Sequence, residues 1–327
     1  MSNVFDFPAD AEQERRLKTI TAAKLASTTF PEVSFIVPKY IAPGLTILAG
    51  RPKVGKSWMA ANLAIAIAKG GYALGVVNVE QGDVLYLALE DSQRRLRRRL
   101  DQMIPLELKP ERLHFATECE RLDKGGIEAI EAWCDSVAKP RCVIVDVFVR
   151  IRSERRRDES PYEYDYRSIL PLKALADRRG IAVIVVHHTN KRSDIDDPLD
   201  AVSSTTGFTG AADSILVLAK GPQGPTLYGR GRDIEEIETA LRFDHQFGSW
   251  TALGEASEVR RTDERKTVLD ALLDAEEALS PTEIASITGM KYGNIRRLLG
   301  KMVTAGEVLK SGRGRYLHPE HADKVRH

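Results

Sequence analysis

With 327 residues, 29% of them charged and 43% hydrophobic, the chain is long enough for one large α/β domain and a small appended one, with a globular composition. A net charge of +1 supplies no global positive field, so a nucleic-acid partner would have to be held by local basic patches. The most apolar stretch, residues 58–68, is too short and alanine-rich to span a bilayer, and no signal-peptide pattern opens the chain. Cys119, Cys134 and Cys142 are scattered without a CxxC and fit neither a disulfide framework nor a zinc site, so a reducing cytoplasm is expected.

Residues 1–34 read as an N-terminal arm. It has a loose Phe5-Asp6-Phe7-Pro8 and a helical pattern from Ala11 to Lys24, either disordered or swapped onto a neighbouring subunit. Next, Leu45-Thr46-Ile47-Leu48-Ala49 reads as a buried strand and Trp58 to Ala68 as a helix. Between them Gly50-Arg51-Pro52-Lys53-Val54-Gly55-Lys56-Ser57 fits G-x-x-x-x-G-K-[ST], the pattern of a phosphate-cradling P-loop. Such a loop wraps its N–H groups inward on glycines and adds the partial positive charge of a helix N-terminus. Gly50 through Trp58 are therefore the candidate ATP-binding residues, with Lys56 on the β- and γ-phosphates and Ser57 on Mg²⁺. The competing reading is a chance match in a glycine-containing turn; the flanking strand and helix argue against it.

Further on, Val84 to Leu89 is a second buried strand ending in Glu90-Asp91, and an arginine-rich helix (Arg94, Arg95, Arg97, Arg98, Arg99) follows, broken at Pro105. Leu113 to Ala116 is a third strand, Gly126 to Val137 a helix, and Cys142 to Asp146 a strand ending in an aspartate. A basic loop from Arg150 to Arg157 leads into a helix from Tyr162 to Arg179, stopped by Gly180, and Ile181 to Val186 is a strand ending in His187-His188. After Gly210 the strands are short and hairpin-like: Ser214 to Ala219, Thr226 to Tyr228, Thr239 to Phe243, and around Trp250. This order predicts an α/β fold, a P-loop NTPase core over 35–254 with a RecA-type parallel sheet and an antiparallel extension.

Residues 255–327 read as a linker and a winged helix-turn-helix. A polar stretch from Glu255 to Arg265 is a linker or helix start, and Lys266 to Ala275 is a helix. Ser280-Pro281-Thr282-Glu283 opens a second helix with a capping pattern, Lys291 to Ala305 is a third, and Val308 to Leu317 is a hairpin. Lys291, Asn294, Arg296 and Arg297 on the third helix, and Arg313 and Arg315 in the hairpin, are the candidate DNA contacts. The alternative is a module for protein contacts with these charges merely solvated.

Hydrolysis needs more than the loop. Asp146, at the end of an apolar strand, suits Mg²⁺ from beside Ser57; otherwise it is an ordinary loop aspartate. Glu90 suits a catalytic base that takes the proton from the attacking water, against a helix N-terminal acid; Asp91 is the less favoured base. One of His187 and His188 suits γ-phosphate sensing, the other a buried histidine. Arg230, Arg232 and Lys220 are candidates for a cation supplied to a neighbouring subunit's site, with surface salt bridging as the alternative. Arg150, Arg152, Arg155, Arg156 and Arg157 suit single-stranded DNA, or a plain charged loop.

The loop with its strand, Val84 to Asp91, Val143 to Asp146, Val185 to Lys191, and Thr205 to Asp213 together resemble the AAA_25 / RepA-like ATPases, over about residues 38–252. These are RecA-fold proteins related to the hexameric helicase RepA of broad-host-range plasmids. The resemblance implies nucleotide and Mg²⁺ at Lys56 and Ser57, Glu90 as base, Asp146 as Walker B residue, and His188 as sensor. It implies a hexameric, ATP-hydrolysing DNA motor: a replicative helicase, or a helicase-like replication or recombination ATPase of a mobile element. The C-terminal module lies outside the resemblance. It brings in the alternative of an ATP-gated DNA-binding regulator or helicase loader, with duplex DNA at the winged helix.

Overall fold

Strand β1 (Gly44–Gly50) is buried along its whole length, and its side chains divide between two cores by the two-residue period of a strand. Leu48 joins one cluster and Leu45, Ile47 and Ala49 the other. The same alternation runs through β4 (Asp83–Ala88), β6 (Pro140–Asp146) and β7 (Ala182–His188), where Ile144 and Ile184 face one side and Val143, Val145, Val183 and Val185 the other. Continuous apolar runs arise because both sheet faces are covered. The computed structural model describes residues 19–30, 32–189, 198–199, 206–221 and 223–326.

The main sheet has nine strands in the order β11-β10-β9-β8-β1-β7-β6-β4-β5. The six from β8 (Ser214–Gly221) to β5 (Leu113–Ala116) are parallel, while β9 (Gly224–Gly231), β10 (Ile237–Asp244) and β11 (Ser249–Glu255) form the antiparallel extension. Helix α2 (Lys56–Lys69) covers one face; α4 (Ile127–Ser136), α5 (Pro161–Arg179) and α6 (Thr206–Ala211) cover the other. The arginine-rich α3 (Gln93–Met103) buries only Leu96. A short hairpin, β2 (Gly71–Ala73) with β3 (Val77–Val79), connects α2 to β4.

Of the two readings of the polar stretch after residue 255, linker or helix start, the second holds. Helix α7 (Ala256–Leu273) starts directly from β11 and runs unbroken through it. Its first half is tied to the sheet by Arg260–Glu238, and its second half contributes Val268 and Leu272 to a separate small core. That core is completed by α8 (Pro281–Thr288), α9 (Tyr292–Thr304) and the hairpin β12 (Leu309–Lys310) and β13 (Tyr316–Leu317), with Leu279 bridging Tyr316. Ser280 and Glu283 form the expected capping box.

Residues 19–34 make a unit of their own, with one short helix, α1 (Ala22–Ser27), capped by Thr21 and exposed throughout. Phe5 to Pro8 and the first part of the predicted Ala11 to Lys24 helix lie outside the described residues, as do Asn190, Lys191 and Thr205.

Candidate nucleotide site

Register brings the chemistry to one edge. Gly50 pairs with His188 and Ala49 with His187, while Ala88 pairs with Asp146, two residues before Glu90. Because these strands are parallel, the loop, the histidines, Asp146 and Glu90 all emerge at the C-terminal edge, where open α/β sheets bind ligands.

Two glycines of the loop are required by space as well as by φ. At Gly50 (φ +157°) a Cβ would lie 2.5 Å from Leu218 O, and at Gly55 (φ +107°) it would lie 2.7 Å from the Trp250 ring. Trp250 supports the loop from β11: its Nε1–H donates to Gly55 O (3.2 Å), and its backbone N–H donates to Asn62 Oδ1 (2.7 Å). The first helical hydrogen bond of α2 runs from Met59 N–H to Gly55 O, so the N–H groups of Lys56, Ser57 and Trp58 have no helical acceptor and open onto the loop. Arg51, Pro52 and Lys53 are exposed and Val54 half-buried. The Trp58 ring, in contrast to its place among the nucleotide-binding candidates, packs against Phe243 (6.1 Å), the Arg99 guanidinium (5.3 Å) and Gly248; only its backbone serves the loop.

Lys56 is 4% exposed, and its ammonium donates to Gly50 O (2.8 Å), Arg51 O (3.0 Å) and His188 Nδ1 (3.0 Å). Burial lowers its pKa to about 8, opposed by Asp146, so it remains cationic at neutral pH. Accepting at Nδ1 requires a neutral His188 that carries its proton on Nε2. Burial and then the Lys56 cation hold the His188 pKa down, while Glu90 and Asp146 pull it up. His187 differs: its ring packs on Phe208 (5.1 Å), and burial, reinforced by His188, Arg152 and Lys56, pushes its pKa to about 4. The pair that sequence left open is thus divided, with His188 at the loop and His187 against the α6 side.

Asp146 is 7% exposed, and its Oδ2 accepts from the Tyr86 hydroxyl (2.7 Å), which also lies 3.5 Å from Ser57 O. Tyr86 is fully buried, and burial followed by the Asp146 charge holds its pKa well above the usual phenol range. This tyrosine was missed from sequence; the available signal was a single hydroxyl in an otherwise aliphatic strand. The other Asp146 oxygen and the Ser57 hydroxyl have no hydrogen-bond partner among the described residues, a donor set that fits one hard cation. Among the described residues no group of three or more His, Cys, Asp or Glu is placed to hold a metal.

Glu90 and Asp91 separate cleanly. Asp91 is bound by Arg95 (3.2 Å) and Arg99 (2.8 Å), and Ser92 caps α3. The Glu90 side chain is exposed and its carboxylate has no hydrogen bond or ion pair among the described residues, yet it lies near enough to raise the His188 pKa.

The late cations lie elsewhere. Lys220 is exposed two residues beyond Leu218, which pairs with Gly50, and so stands at the loop edge. Arg230 and Arg232 lie at the opposite edge, where β9 runs back past the start of β8, and Arg232 contacts Asp213 (3.4 Å). Neither is placed to serve its own loop. In the basic loop Arg152 is committed to Asp165 and to the faces of Tyr164 (3.6 Å) and Phe208 (4.8 Å), and Arg155 to Glu159 O. Near the C-terminus Lys291, Arg296 and Arg313 are exposed, Arg297 donates to Asn294 Oδ1 (3.1 Å), and Arg315, also exposed, donates to Ala278 O (2.6 Å) and lies 3.7 Å from Glu283.

The model of the AAA_25 family, an AAA domain, matches residues 11–194, more than half of the chain and the stretch that holds the loop, Glu90, Asp146 and the histidines. The chain belongs to the AAA_25 family. Among solved structures, one described as an ATPase domain superposes with a TM-score of 0.52 at 14% identity, covering 64% of this chain and 85% of that one. A DnaB-like replicative helicase, described with its interactions with primase, superposes at 0.50 and 13% identity over 64% of this chain and 57% of its own. At these identities the likeness is one of fold: a mostly parallel α/β sheet of the kind in RecA-like ATPase domains. No helix among the described residues is long and apolar enough to cross a membrane.

Proposed function

We propose that this AAA_25 member is an ATP-hydrolysing DNA motor, a RepA-like helicase or a related replication or recombination ATPase, working in the cytoplasm as a homo-hexameric ring. The observation that carries it is the meeting, at one sheet edge, of a lysine-centred P-loop, a buried aspartate and a carboxylate left free of partners among the described residues. The loop N–H groups and Lys56 hold the ATP phosphates. Ser57 and Asp146 would hold Mg²⁺, which would supply charge neutralisation on the phosphate oxygens, and Tyr86 fixes the Asp146 carboxylate. Glu90 takes the proton of the attacking water. Phosphate oxygens compete with His188 for the Lys56 ammonium, so His188 registers nucleotide at the end of β7. Arg230 or Arg232, at the far edge, reaches the loop of a neighbouring subunit, with Lys220 as the remaining candidate. Single-stranded DNA meets the basic loop at Arg150, Arg156 and Arg157.

Glu90→Gln tests the reading. It should bind ATP as the wild type does while kcat falls by about 10²–10⁴, whereas Asp91→Asn should hydrolyse near the wild-type rate. Single-stranded DNA should stimulate the wild type. Full hydrolysis by Glu90→Gln removes the base assignment, and an unstimulated ATPase that forms no ring removes the motor.

The second reading, an ATP-gated regulator or loader, draws on the separate C-terminal core with exposed Lys291, Arg296 and Arg313. As a winged helix it binds duplex DNA sequence-specifically, and that binding survives deletion of residues 1–255.

A further inference from the structure

The face around the first turns of α5 has features that the nucleotide site does not use. Tyr162 is 50% exposed and Tyr166 37%, one helical turn apart, with ring planes 14° from parallel and centroids 6.2 Å apart. They line an open cleft of about 600 Å³ together with Arg156 and Arg157. The base beneath is rigid: Ser160 and Glu163 form a capping box, and at Gly207 a Cβ would lie 2.4 Å from Tyr162 O, so the α6 backbone lies directly against α5.

The charged residues lining the cleft are Arg156, Arg157 and Arg167 against Asp158, Glu159 and Glu163, and they differ in how far they are already paired. Arg167 grips Glu159 in a bidentate pair (2.6 and 2.8 Å), Arg152 pairs with Asp165, Arg121 with Glu154, and Glu163 accepts from Ser160. Arg150, Arg155, Arg156 and Arg157 have no carboxylate ion pair among the described residues, and against the acids Asp158 and Glu163, which have none either, they leave a net positive rim beside two aromatic faces.

We infer that this cleft is a base-stacking site for single-stranded nucleic acid, with Tyr162 and Tyr166 as the platform and Arg156 and Arg157 on the phosphates. Exposed flat rings accept any base whose faces are free, and a duplex hides those faces. The site rests on the DNA-motor reading and gives it a physical reader of unpaired strands. It is also in packed contact with the nucleotide edge. Arg152, tied to Tyr164 and Asp165 on α5, lies over Phe208, and Phe208 packs on His187 beside the His188 that holds Lys56.

Fluorescence anisotropy with labelled oligo(dT), against an abasic oligomer of equal length and charge, tests the site. The wild type should prefer oligo(dT). In Tyr162→Ala/Tyr166→Ala that preference should collapse, with oligo(dT) binding weakened by roughly 5- to 150-fold for each base no longer stacked. Tyr162→Phe/Tyr166→Phe should retain it, and both variants should melt as the wild type does because the rings are exposed. Arg156→Ala/Arg157→Ala should weaken both oligomers alike and reduce the log–log salt slope by about 1.4. An alanine pair that keeps the oligo(dT) preference overturns the stacking site and leaves the motor reading standing. A wild type that binds neither oligomer overturns both. A change in sedimentation without a change in binding assigns the tyrosines to a subunit contact and overturns the site.

Discussion

Lys56 and His188 share one hydrogen bond, and that fixes the protonation of both: a cationic lysine donating to a neutral imidazole. His187, next along the strand, stays neutral for a different reason, since burial pushes its pKa to about 4 from an unfolded value near 6.5. The unfolded chain therefore takes up a proton between these values that the folded chain refuses, so stability falls as pH drops from about 6.5 to about 4. Urea titrations should show a loss of about 1–3 kcal/mol across this window, and His187→Gln should remove that part of the pH dependence.

At the scale of elements, the P-loop is as much a product of β11 as of its own sequence. Trp250 arrives from the outermost antiparallel strand to hold Gly55 O and to fill the space where a side chain would sit. Gly55→Ala should cost about 1–2 kcal/mol from the positive φ alone and should weaken ATP binding further as the ring is displaced. Thermal melting and equilibrium titration with a fluorescent ATP analogue check both. Helix α7 shows where pattern reading stops. Its first half is so charged that a linker and a helix start read alike, because only Ala256 is buried there and the helical apolar stripe is absent. Its continuity comes from packing at both ends, a sheet contact through Arg260 and Glu238 and a second core through Val268 and Leu272.

At the scale of the molecule, antiparallel β9 carries Arg230 and Arg232 to the edge opposite the loop. If one subunit supplies the cation and the next the loop, two inactive variants should rescue each other. Mixing Lys56→Ala with an Arg230→Ala/Arg232→Ala variant under subunit exchange should restore part of the ATPase activity, because some interfaces then contain an intact loop facing an intact cation. Steady-state phosphate release on the mixture measures it, and activity no higher than the sum of the separate variants would exclude a shared site.

The P-loop pattern between strand and helix, the alternation of strands and helices, the antiparallel extension, and the strand-end positions of Glu90 and Asp146 were all legible in the sequence. Each is written in local form: glycine spacing, apolar period, or a charge at the end of a buried run. What the fold added was the physical reason behind each choice between neighbours that the sequence or the resemblance had only favoured. His188 rather than His187 meets Lys56 because β7 pairs in register with β1, and Glu90 rather than Asp91 is left free because α3 turns Arg95 and Arg99 onto Asp91. Tyr86 and Trp250 carry no motif, since their partners lie 60 and 195 residues away along the chain and chemistry at such sites depends on contact, not on spacing; Tyr162 and Tyr166 are neighbours at helical spacing, and only the fold shows that both rings are exposed. Sequence determined which groups reach the sheet edge; tertiary structure determined which of them are already committed to one another and which remain available to a ligand.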